Sequence, residues 1–323
     1  MQKTVLFVLA CPWLLTSCSS PERLPSIPVQ ADYVMTVNIQ DHSLSFIDTE
    51  SYEEKTWTLP FAFQRAVFLT EDQLLLYGKE LDRAYVYELS SGKALGEWKT
   101  GKGIENMVLS ADGTHVYAAD QKRNSLRVFT LDGKQHEEMK LDSAPFTILE
   151  SSDKLYVASY EEAYMSVILK SSWKTAGTFP APPRSVGGWI DENKDELWLG
   201  GHGSGEQIQD DIYIYSLTDG TLKEKITTPV MPIDFARAQN HVYALSHGSN
   251  ELWKIDYDTK RIEEKIETGS NPFSMKLFQD KLYIASYDSN KVQVVDLKTF
   301  QTIKQIPVGT GPFQLFVREE ERA

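Results

Sequence analysis

Cysteine is almost absent from this chain, which contains two in 323 residues, Cys11 and Cys18. A disulfide framework is therefore excluded, and a core of this size does not need one. The chain also lacks the Cys-x-x-Cys-His pattern that attaches haem, a glycine-rich phosphate loop that opens a helix, and the serine turn of α/β-hydrolases. No motif for catalysis or for a cofactor is present, so the sequence predicts neither a cofactor nor a metal.

Basic residues are too few to balance the acidic ones. The chain has 33 Lys and Arg against 46 Asp and Glu, which gives a formal net charge of −13. Removal of residues 1–17, which include Lys3, would leave −14. An acidic surface repels phosphate backbones, so nucleic acid is not an expected partner.

The apolar run in residues 1–17, MQKTVLFVLACPWLLTS, is too short to span a bilayer as a permanent helix. One lysine followed by this run predicts a secretory signal. The segment ends in Leu15-Thr16-Ser17-Cys18, which resembles the lipobox of bacterial lipoproteins and implies a lipid on Cys18. The predicted location is the extracytoplasmic face of the cell membrane. Because Ser19 is not an aspartate, the outer membrane is favoured if the source has two membranes.

The remainder of the chain divides into a short connector and one domain. Residues 18–31 contain three prolines and little apolar surface, which predicts an extended tether. Residues 32–323 show no further change in composition and are predicted to form one domain, expected to be a monomer.

An aromatic residue recurs within a short apolar strand pattern along this domain, at Tyr117, Tyr156, Trp198, Tyr243 and Tyr283. The spacings are 39, 42, 45 and 40 residues, and weaker copies precede them near residues 33–37 and 74–77. In the clearest unit, four strands are predicted at residues 273–277, 282–286, 292–295 and 302–308. Seven units of this period with four strands each predict an all-β, seven-bladed propeller.

The first unit has only three predicted strands, at residues 33–37, 43–47 and 55–59. Residues 312–317, PFQLFV, repeat the opening of the last unit, PFSM. The C-terminal strand is therefore predicted to complete the first blade as its innermost strand. Closure of this kind leaves only short, protected strand edges.

The repeat resembles the YVTN family of seven-bladed propellers. The matching segments in the last unit are LYIA at 282–285, SNKV at 289–292, VVD at 294–296 and VGTGP at 308–312. The resemblance implies the fold. It does not select a function, because such blades occur in binding modules, lactonase-like enzymes and subunits of redox enzymes.

Several conspicuous residues are predicted to be structural. Asp48, Asp256 and Asp296 each end a third strand, where a carboxylate can accept hydrogen bonds from the amides of the following turn. The repeated aromatic residues occupy one blade position, which predicts packing between blades. Neither set is expected to bind a ligand.

A set of polar residues is predicted to line the mouth of the central channel. Each of them lies two positions after the proline, or its equivalent, that opens an innermost strand. Strand alternation predicts that this polar set faces one way, while Phe146, Ile233, Phe273 and Phe313 face the other. The set consists of Arg65, Glu105, Thr147, Ser185, Asp234, Ser274 and Gln314. A small polar ligand at Arg65, Glu105 and Asp234 is one interpretation, and a channel filled with water and paired charges is the other.

Loops between the second and third strands are predicted to lie on the same rim. His202 and His247 occupy corresponding positions in adjacent blades, so they are expected to approach each other. The loop of His202 also carries Glu206, Asp210 and Asp211, and blade 4 brings Tyr160, Glu161, Glu162 and Tyr164. Two imidazoles and a carboxylate are able to hold a divalent metal, but neither spacing is a recognised metal motif.

These features favour a binding or scaffolding propeller at the bacterial cell envelope, with a protein or an envelope polymer as partner. The predicted ligand-binding residues are Arg65, Glu105, Asp234, His202 and His247, and no catalytic residue is assigned. The alternative is a lactonase-like hydrolase or isomerase that acts on a small polar or sugar-like substrate. Glu105 or Asp234 would then be the general base, and Arg65 would stabilise the developing oxyanion.

Overall fold

The computed structural model describes residues 23–205, 208–228 and 230–318. Within these ranges the chain forms 28 β-strands and one short 3-10 helix, Glu192–Lys194. The strands pair into seven four-stranded antiparallel sheets, which confirms the predicted seven-bladed propeller. No helix in the described ranges is long and apolar enough to cross a membrane. The predicted signal segment, Cys18 and Glu206 lie outside the described residues.

Each of the first four blades is a sheet of four antiparallel strands. The strands of blade 1 are β1 (Tyr33–Asn38), β2 (Ser43–Asp48), β3 (Glu54–Thr58) and, from the far end of the chain, β28 (Pro312–Arg318). Those of blade 2 are β4 (Arg65–Thr70), β5 (Gln73–Tyr77), β6 (Ala84–Glu88) and β7 (Lys93–Trp98). Those of blade 3 are β8 (Ile104–Leu109), β9 (His115–Asp120), β10 (Ser125–Thr130) and β11 (Gln135–Lys140). Those of blade 4 are β12 (Pro145–Glu150), β13 (Lys154–Ser159), β14 (Tyr164–Leu169) and β15 (Lys174–Pro180).

The last three blades follow the same order from the axis outward. The strands of blade 5 are β16 (Ser185–Asp191), β17 (Glu196–Gly201), β18 (Asp211–Tyr215) and β19 (Leu222–Thr227). Those of blade 6 are β20 (Pro232–Ala238), β21 (His241–Ser246), β22 (Glu251–Asp256) and β23 (Ile262–Glu267). Those of blade 7 are β24 (Pro272–Phe278), β25 (Lys281–Ser286), β26 (Lys291–Asp296) and β27 (Gln301–Pro307). The bounds in blades 1 and 7 agree with the prediction to within one residue at each end.

Blade 1 joins the two ends of the chain. Strand β28 pairs antiparallel with β1, with Val34 opposite Val317 and Met35 opposite Phe316. Leu315 is fully buried in the core that blade 1 shares with blade 7. The ring is therefore closed by the C-terminal strand, as predicted.

The core is divided among seven hydrophobic clusters, and each lies at the interface between two adjacent blades. The repeated aromatic residues are at most 3% exposed and belong to these clusters, which confirms their predicted packing role. At the interface of blades 5 and 6, for example, Trp198 packs with Phe235 and Val242. Burial of apolar surface between blades is what stabilises sheets that are too small to stand alone.

Aspartates at the ends of third strands fix the turns, as predicted. Asp48 accepts a hydrogen bond from the Ser51 amide at 2.7 Å, and Asp256 accepts one from the Thr259 amide at 2.7 Å. The hydrogen bond from Thr259 lowers the pKa of Asp256. Asp296 repeats the pattern with Thr299 at 2.8 Å.

The propeller has two distinct faces. Loops between second and third strands, together with the starts of the innermost strands, form one face, which we term the mouth face. Turns between the first and second and between the third and fourth strands form the opposite face, which we term the turn face. This arrangement follows from antiparallel pairing within each blade.

Residues 23–31, part of the predicted tether, lie along blades 1 and 2 on the turn face. The Leu24 amide donates to the Gly92 carbonyl at 3.2 Å, and the Ile27 amide donates to the Leu89 carbonyl at 3.0 Å. Ile27 is 2% exposed and packs in the core between blades 1 and 2. The Trp57 indole donates to the Pro25 carbonyl at 2.7 Å. This stretch is thus bound to the domain, and Arg23, the first described residue, lies at the turn face, where it donates to the Ser91 carbonyl at 2.7 Å.

Candidate functional site

Eight partly exposed side chains form a circuit around the channel mouth, and we term them the mouth cluster. Its members, in order around the axis, are Arg65, Phe313, Phe273, His247, His202, Arg184, Tyr160 and Phe146. They come from blades 2, 1, 7, 6, 5 and 4. Seven of the eight neighbouring pairs make side-chain contacts, and a backbone hydrogen bond of 3.2 Å from His202 to Arg184 joins the eighth pair. Convergence of loops and strand starts from several blades on one axis is the arrangement in which propellers and other rigid scaffolds carry function.

Aromatic rings make up one half of the mouth cluster. The ring centroids of Phe273 and Phe313 are 4.7 Å apart, and those of Phe146 and Tyr160 are 5.1 Å apart. The Arg65 guanidinium lies between the two pairs, 4.9 Å from the Phe313 centroid and 5.5 Å from the Phe146 centroid. These are cation–π distances, and they fix the position of Arg65 at the mouth.

A β-bulge explains why the phenylalanines point to the mouth. In blade 7, Pro272 pairs with Ser286 and Ser274 with Ala285, so Phe273 is the extra, unpaired residue. Blade 1 leaves Phe313 unpaired in the same way, between the pairs of Pro312 and Gln314. A bulge interrupts strand alternation and redirects a side chain. The prediction that these phenylalanines face away from Arg65 was therefore wrong.

The polar set serves mainly to connect blades. Asp234 accepts from the Met275 amide at 2.7 Å, Gln314 accepts from the Ala66 amide at 3.0 Å, and Ser274 accepts from the Leu315 amide at 3.3 Å. Thr147 donates to the Ser185 carbonyl at 2.7 Å. Each of these hydrogen bonds crosses to the next innermost strand around the axis.

Two members of the polar set do not occupy the register position that the sequence assigned to them. In blade 3 this position belongs to Asn106, which pairs with Ala119, and Glu105 is the bulged residue before it. The Asn106 side chain donates to the Phe146 carbonyl at 3.2 Å. In blade 5 it belongs to Gly187, where a Cβ atom would lie 1.8 Å from the Ile233 carbonyl oxygen. The extra residue of the bulge displaces the residues that follow it in the strand. Ser185 is the first residue of β16 and does not occupy this position.

The structure does not bring Arg65, Glu105 and Asp234 together. Glu105 forms an ion pair with Lys79 at 3.0 Å. Asp234 also accepts from its neighbouring Phe235 amide at 2.9 Å, and burial raises the pKa of this carboxyl. In the described part of the chain, no ion pair or hydrogen bond joins Arg65 to either carboxylate. The geometry therefore gives no support to the general-base alternative.

Arg65 is a cation without a partner acid. Among the described residues no carboxylate forms an ion pair with Arg65, whereas Arg127 in blade 3 pairs with the buried Asp120 at 3.1 Å. Arg184, which adopts a left-handed backbone conformation with φ of 53°, places its guanidinium 5.7 Å from the Tyr160 centroid. Sequence analysis did not identify Arg184, because it precedes its strand by one residue. The mouth thus holds two arginines beside partly exposed rings, while the acid at the same rim of blade 3, Glu105, is paired with Lys79.

The two predicted histidines do meet. The ring centroids of His202 and His247 are 5.3 Å apart, and His247 lies 4.3 Å from Phe273. Burial, with smaller contributions from His247 and Arg184, lowers the pKa of His202 to about 4, and burial also lowers the pKa of His247. Both imidazoles are therefore neutral at pH 7 and offer hydrogen bonds rather than charge.

The tautomer of His247 follows from its contact with the backbone. His247 Nδ1 lies 3.1 Å from the Pro272 carbonyl oxygen, and since a carbonyl only accepts, Nδ1 carries the proton. His247 Nε2 is then an acceptor. Within the described residues, the buried Nε2 of His202 has no hydrogen-bond partner.

A three-ligand cluster of the kind that binds metals occurs elsewhere. Among the described residues it is formed by His241, Asp256 and Glu263 on the turn face, with His241 Nε2 3.0 Å from a Glu263 oxygen. No described carboxylate completes such a group with His202 and His247. The two imidazoles alone are too few for a zinc site, which takes at least three protein ligands.

A cleft flanks the mouth cluster on the mouth face. It has a volume of about 560 Å³ and lies across blades 2 to 4. Its lining includes Lys79, Lys102, Lys122, Gln121 and Glu161. The lining also includes Glu80, which lies 3.7 Å from Lys102, and Lys79 pairs with Glu105, so positive and negative charges are interspersed along the cleft.

No protein-family model and no curated protein matches the chain. Solved structures match it over most of its length. Dihydro-heme d1 dehydrogenase NirN in complex with DHE is 13% identical, with a TM-score of 0.68, over 92% of this chain and 77% of NirN. A functionally unknown protein from Desulfotomaculum acetoxidans is 10% identical, with a TM-score of 0.74, over 90% of this chain and all of that protein.

Apo AztD from Citrobacter koseri is a third similar structure. It is 12% identical, with a TM-score of 0.63, over 90% of this chain and 99% of AztD. Identities of 10–13% establish a shared propeller fold and nothing about ligands.

Proposed function

We propose that this chain is a membrane-anchored, extracytoplasmic binding propeller of the YVTN type, which captures its partner on the mouth face. The observation that carries the proposal is the mouth cluster, in which an arginine with no ion pair among the described residues, partly exposed aromatic rings and two neutral imidazoles converge on the axis. A rigid scaffold that presents such groups is suited to binding.

The position of residues 23–31 supports an arrangement in which the mouth faces away from the membrane. This stretch lies along the turn face, and five residue steps separate Arg23 from Cys18. Five residues span at most about 17 Å. A lipid on Cys18 would therefore hold the turn face toward the bilayer and leave the mouth face open to partners.

Substitution of the predicted lipidation site tests the anchor. A Cys18→Ser chain, expressed in its own host, is expected to leave the membrane fraction, because the lipobox then lacks the thiol that receives the lipid. Incorporation of radiolabelled palmitate and fractionation of the envelope measure this directly. A Cys11→Ser chain is the control and should behave as wild type. Membrane retention of Cys18→Ser together with undiminished labelling would rule out the anchor.

Substitutions on the two faces test where the partner binds. A chain with Glu161→Gln, His202→Gln and His247→Gln is expected to lose at least tenfold in capture of a partner from its own envelope extract. Hydrogen bonds at a buried contact are each worth about 0.5–1.5 kcal/mol, so two or three account for this loss. Affinity purification of the full chain with quantitative mass spectrometry identifies the partner.

The matched control carries the same residue changes on the turn face, at Glu263, His241 and His115. It should retain capture at the wild-type level. If the turn-face variant loses the partner and the mouth-face variant keeps it, the proposed binding face is wrong.

A further inference from the structure

Phe146, Phe273 and Phe313 are partly exposed, unlike the repeated aromatic residues, which are fully buried. All three stand at the mouth of the channel. Aromatic rings left accessible together in a concave site mark a surface that binds apolar or planar groups. The bulges that place Phe273 and Phe313 there make this a built feature of the fold.

Arg65 lies between these rings and has no acid partner among the described residues. Its contacts with Phe146 and Phe313 hold the guanidinium at the edge of the aromatic surface. An arginine in this setting recognises a carboxylate through two parallel hydrogen bonds. Arg184, beside Tyr160, provides a second cation across the Phe146 and Tyr160 pair.

His202 and His247 complete the circuit without adding charge. Because both imidazoles are neutral at pH 7, they do not compete with the arginines for an anion. Among the described residues the buried Nε2 of His202 has no hydrogen-bond partner, and a polar group of the ligand would satisfy it.

We propose that the mouth cluster binds a planar aromatic molecule that carries at least one carboxylate, with the carboxylate on Arg65 and the aromatic plane against Phe146, Phe273 and Phe313. This inference rests on the proposed function and names its ligand class. A compact anion such as phosphate makes no use of the three rings. An organic cation is repelled by both arginines.

Three small molecules of similar length separate charge from planarity. Naphthalene-2,6-dicarboxylate is planar and anionic, decalin-2,6-dicarboxylate has the same charges on a non-planar frame, and naphthalene-2,6-dimethanol is planar and neutral. Titration calorimetry with the full chain at pH 7 is expected to give binding of the first at least tenfold tighter than of either of the others. Inorganic phosphate serves as the compact anion and is expected not to compete.

Variants assign the roles of the side chains. Arg65→Gln should weaken binding of naphthalene-2,6-dicarboxylate at least tenfold, which is the change expected when a charge-assisted hydrogen bond is lost. Arg65→Lys keeps the charge but not the geometry for two parallel hydrogen bonds. Its affinity for naphthalene-2,6-dicarboxylate should therefore lie between those of Arg65→Gln and wild type. Phe273→Leu keeps apolar volume and should reduce the preference for the planar over the decalin acid. Arg261→Gln, an exposed change on the turn face, should bind as wild type.

The ligand class is overturned if the neutral or the non-planar compound binds as tightly as naphthalene-2,6-dicarboxylate, or if Arg65→Gln leaves its binding unchanged. Absence of binding by all three compounds overturns it as well. In that case partner capture separates the two ideas. If the mouth-face variant still loses its partner, the proposed function stands without this ligand class, and if capture is also unaffected, both are wrong.

Discussion

A chain that ends at Gly311 is expected to form aggregates rather than a soluble monomer. It lacks β28, so blade 1 loses its innermost strand and the hydrogen-bonding edge of β1 is exposed. Loss of the fully buried Leu315 alone is worth about 2–5 kcal/mol, and the ladder with β1 is lost in addition. This is a large part of the 5–15 kcal/mol by which a typical domain is stable. An unpaired, apolar strand edge then promotes association between chains.

Size-exclusion chromatography and thermal unfolding followed by circular dichroism measure the effect. A chain that ends at Arg318 keeps all of β28 and should remain monomeric with the wild-type melting temperature. Addition of a synthetic peptide of residues 312–318 to the shorter chain should restore part of the monomer, because a separate strand can pair with the exposed edge. A soluble monomer with unchanged melting temperature in the Gly311-terminated chain would contradict closure by β28.

This closure was predictable from the sequence because the repeat itself carries the information. Residues 312–317 copy the start of blade 7, and the first unit lacks one strand, so the two ends complement each other. The repeated aromatic residues were equally informative. Tyr283 and its counterparts recur at one strand position. A large apolar side chain repeated at the same position in successive blades predicts burial at each blade interface.

The mouth was predicted only in part, because strand alternation assumes an uninterrupted ladder. Strand alternation takes no account of the bulge at Phe273, so the phenylalanines were assigned to the wrong side and Glu105 to the wrong register position. One signal was present in the sequence. An aromatic residue directly follows the proline that opens three innermost strands, at Phe146, Phe273 and Phe313.

Proximity across blades is the other kind of information that strand patterns lack. His202 and His247 were expected to meet because they lie at corresponding positions in adjacent blades, and they do. The contacts of Arg65 with Phe313 and of Arg318 with residues 28–31 join positions more than 240 residues apart. The spacing of residues within a repeat does not predict such contacts, because they form only when the ring closes.

A buried ion pair between blades 5 and 6 illustrates the same limit. Lys260 Nζ lies 2.8 Å from a Glu196 oxygen, and the two side chains are 6% and 10% exposed. Lys260 also donates to the Tyr257 carbonyl at 2.8 Å, while Glu196 accepts from the Trp198 indole at 2.9 Å. The lysine stands 4.8 Å from the ring centroids of both Trp198 and Tyr257. The pair is therefore enclosed by aromatic surface and largely shielded from water.

Lys260→Met is expected to lower the free energy of unfolding by about 3–5 kcal/mol, because it leaves the Glu196 carboxylate buried without a counter-charge. Methionine matches the length of the lysine stem and does not change the backbone requirement at residue 260, where φ is 59°. Urea unfolding of the full chain at pH 7, followed by tryptophan fluorescence, measures the loss. The single variant should shift the midpoint without a change in slope.

The double variant Lys260→Met with Glu196→Gln isolates the cost of the unpaired charge. Glutamine still accepts the hydrogen bond from the Trp198 indole but carries no charge, so no ion remains buried. We expect the double variant to recover most of the lost stability and to come within about 1 kcal/mol of wild type. If it is as unstable as Lys260→Met alone, the loss comes from the packing of the lysine stem against Trp198 and Tyr257. The ion pair would then contribute little to holding blades 5 and 6 together.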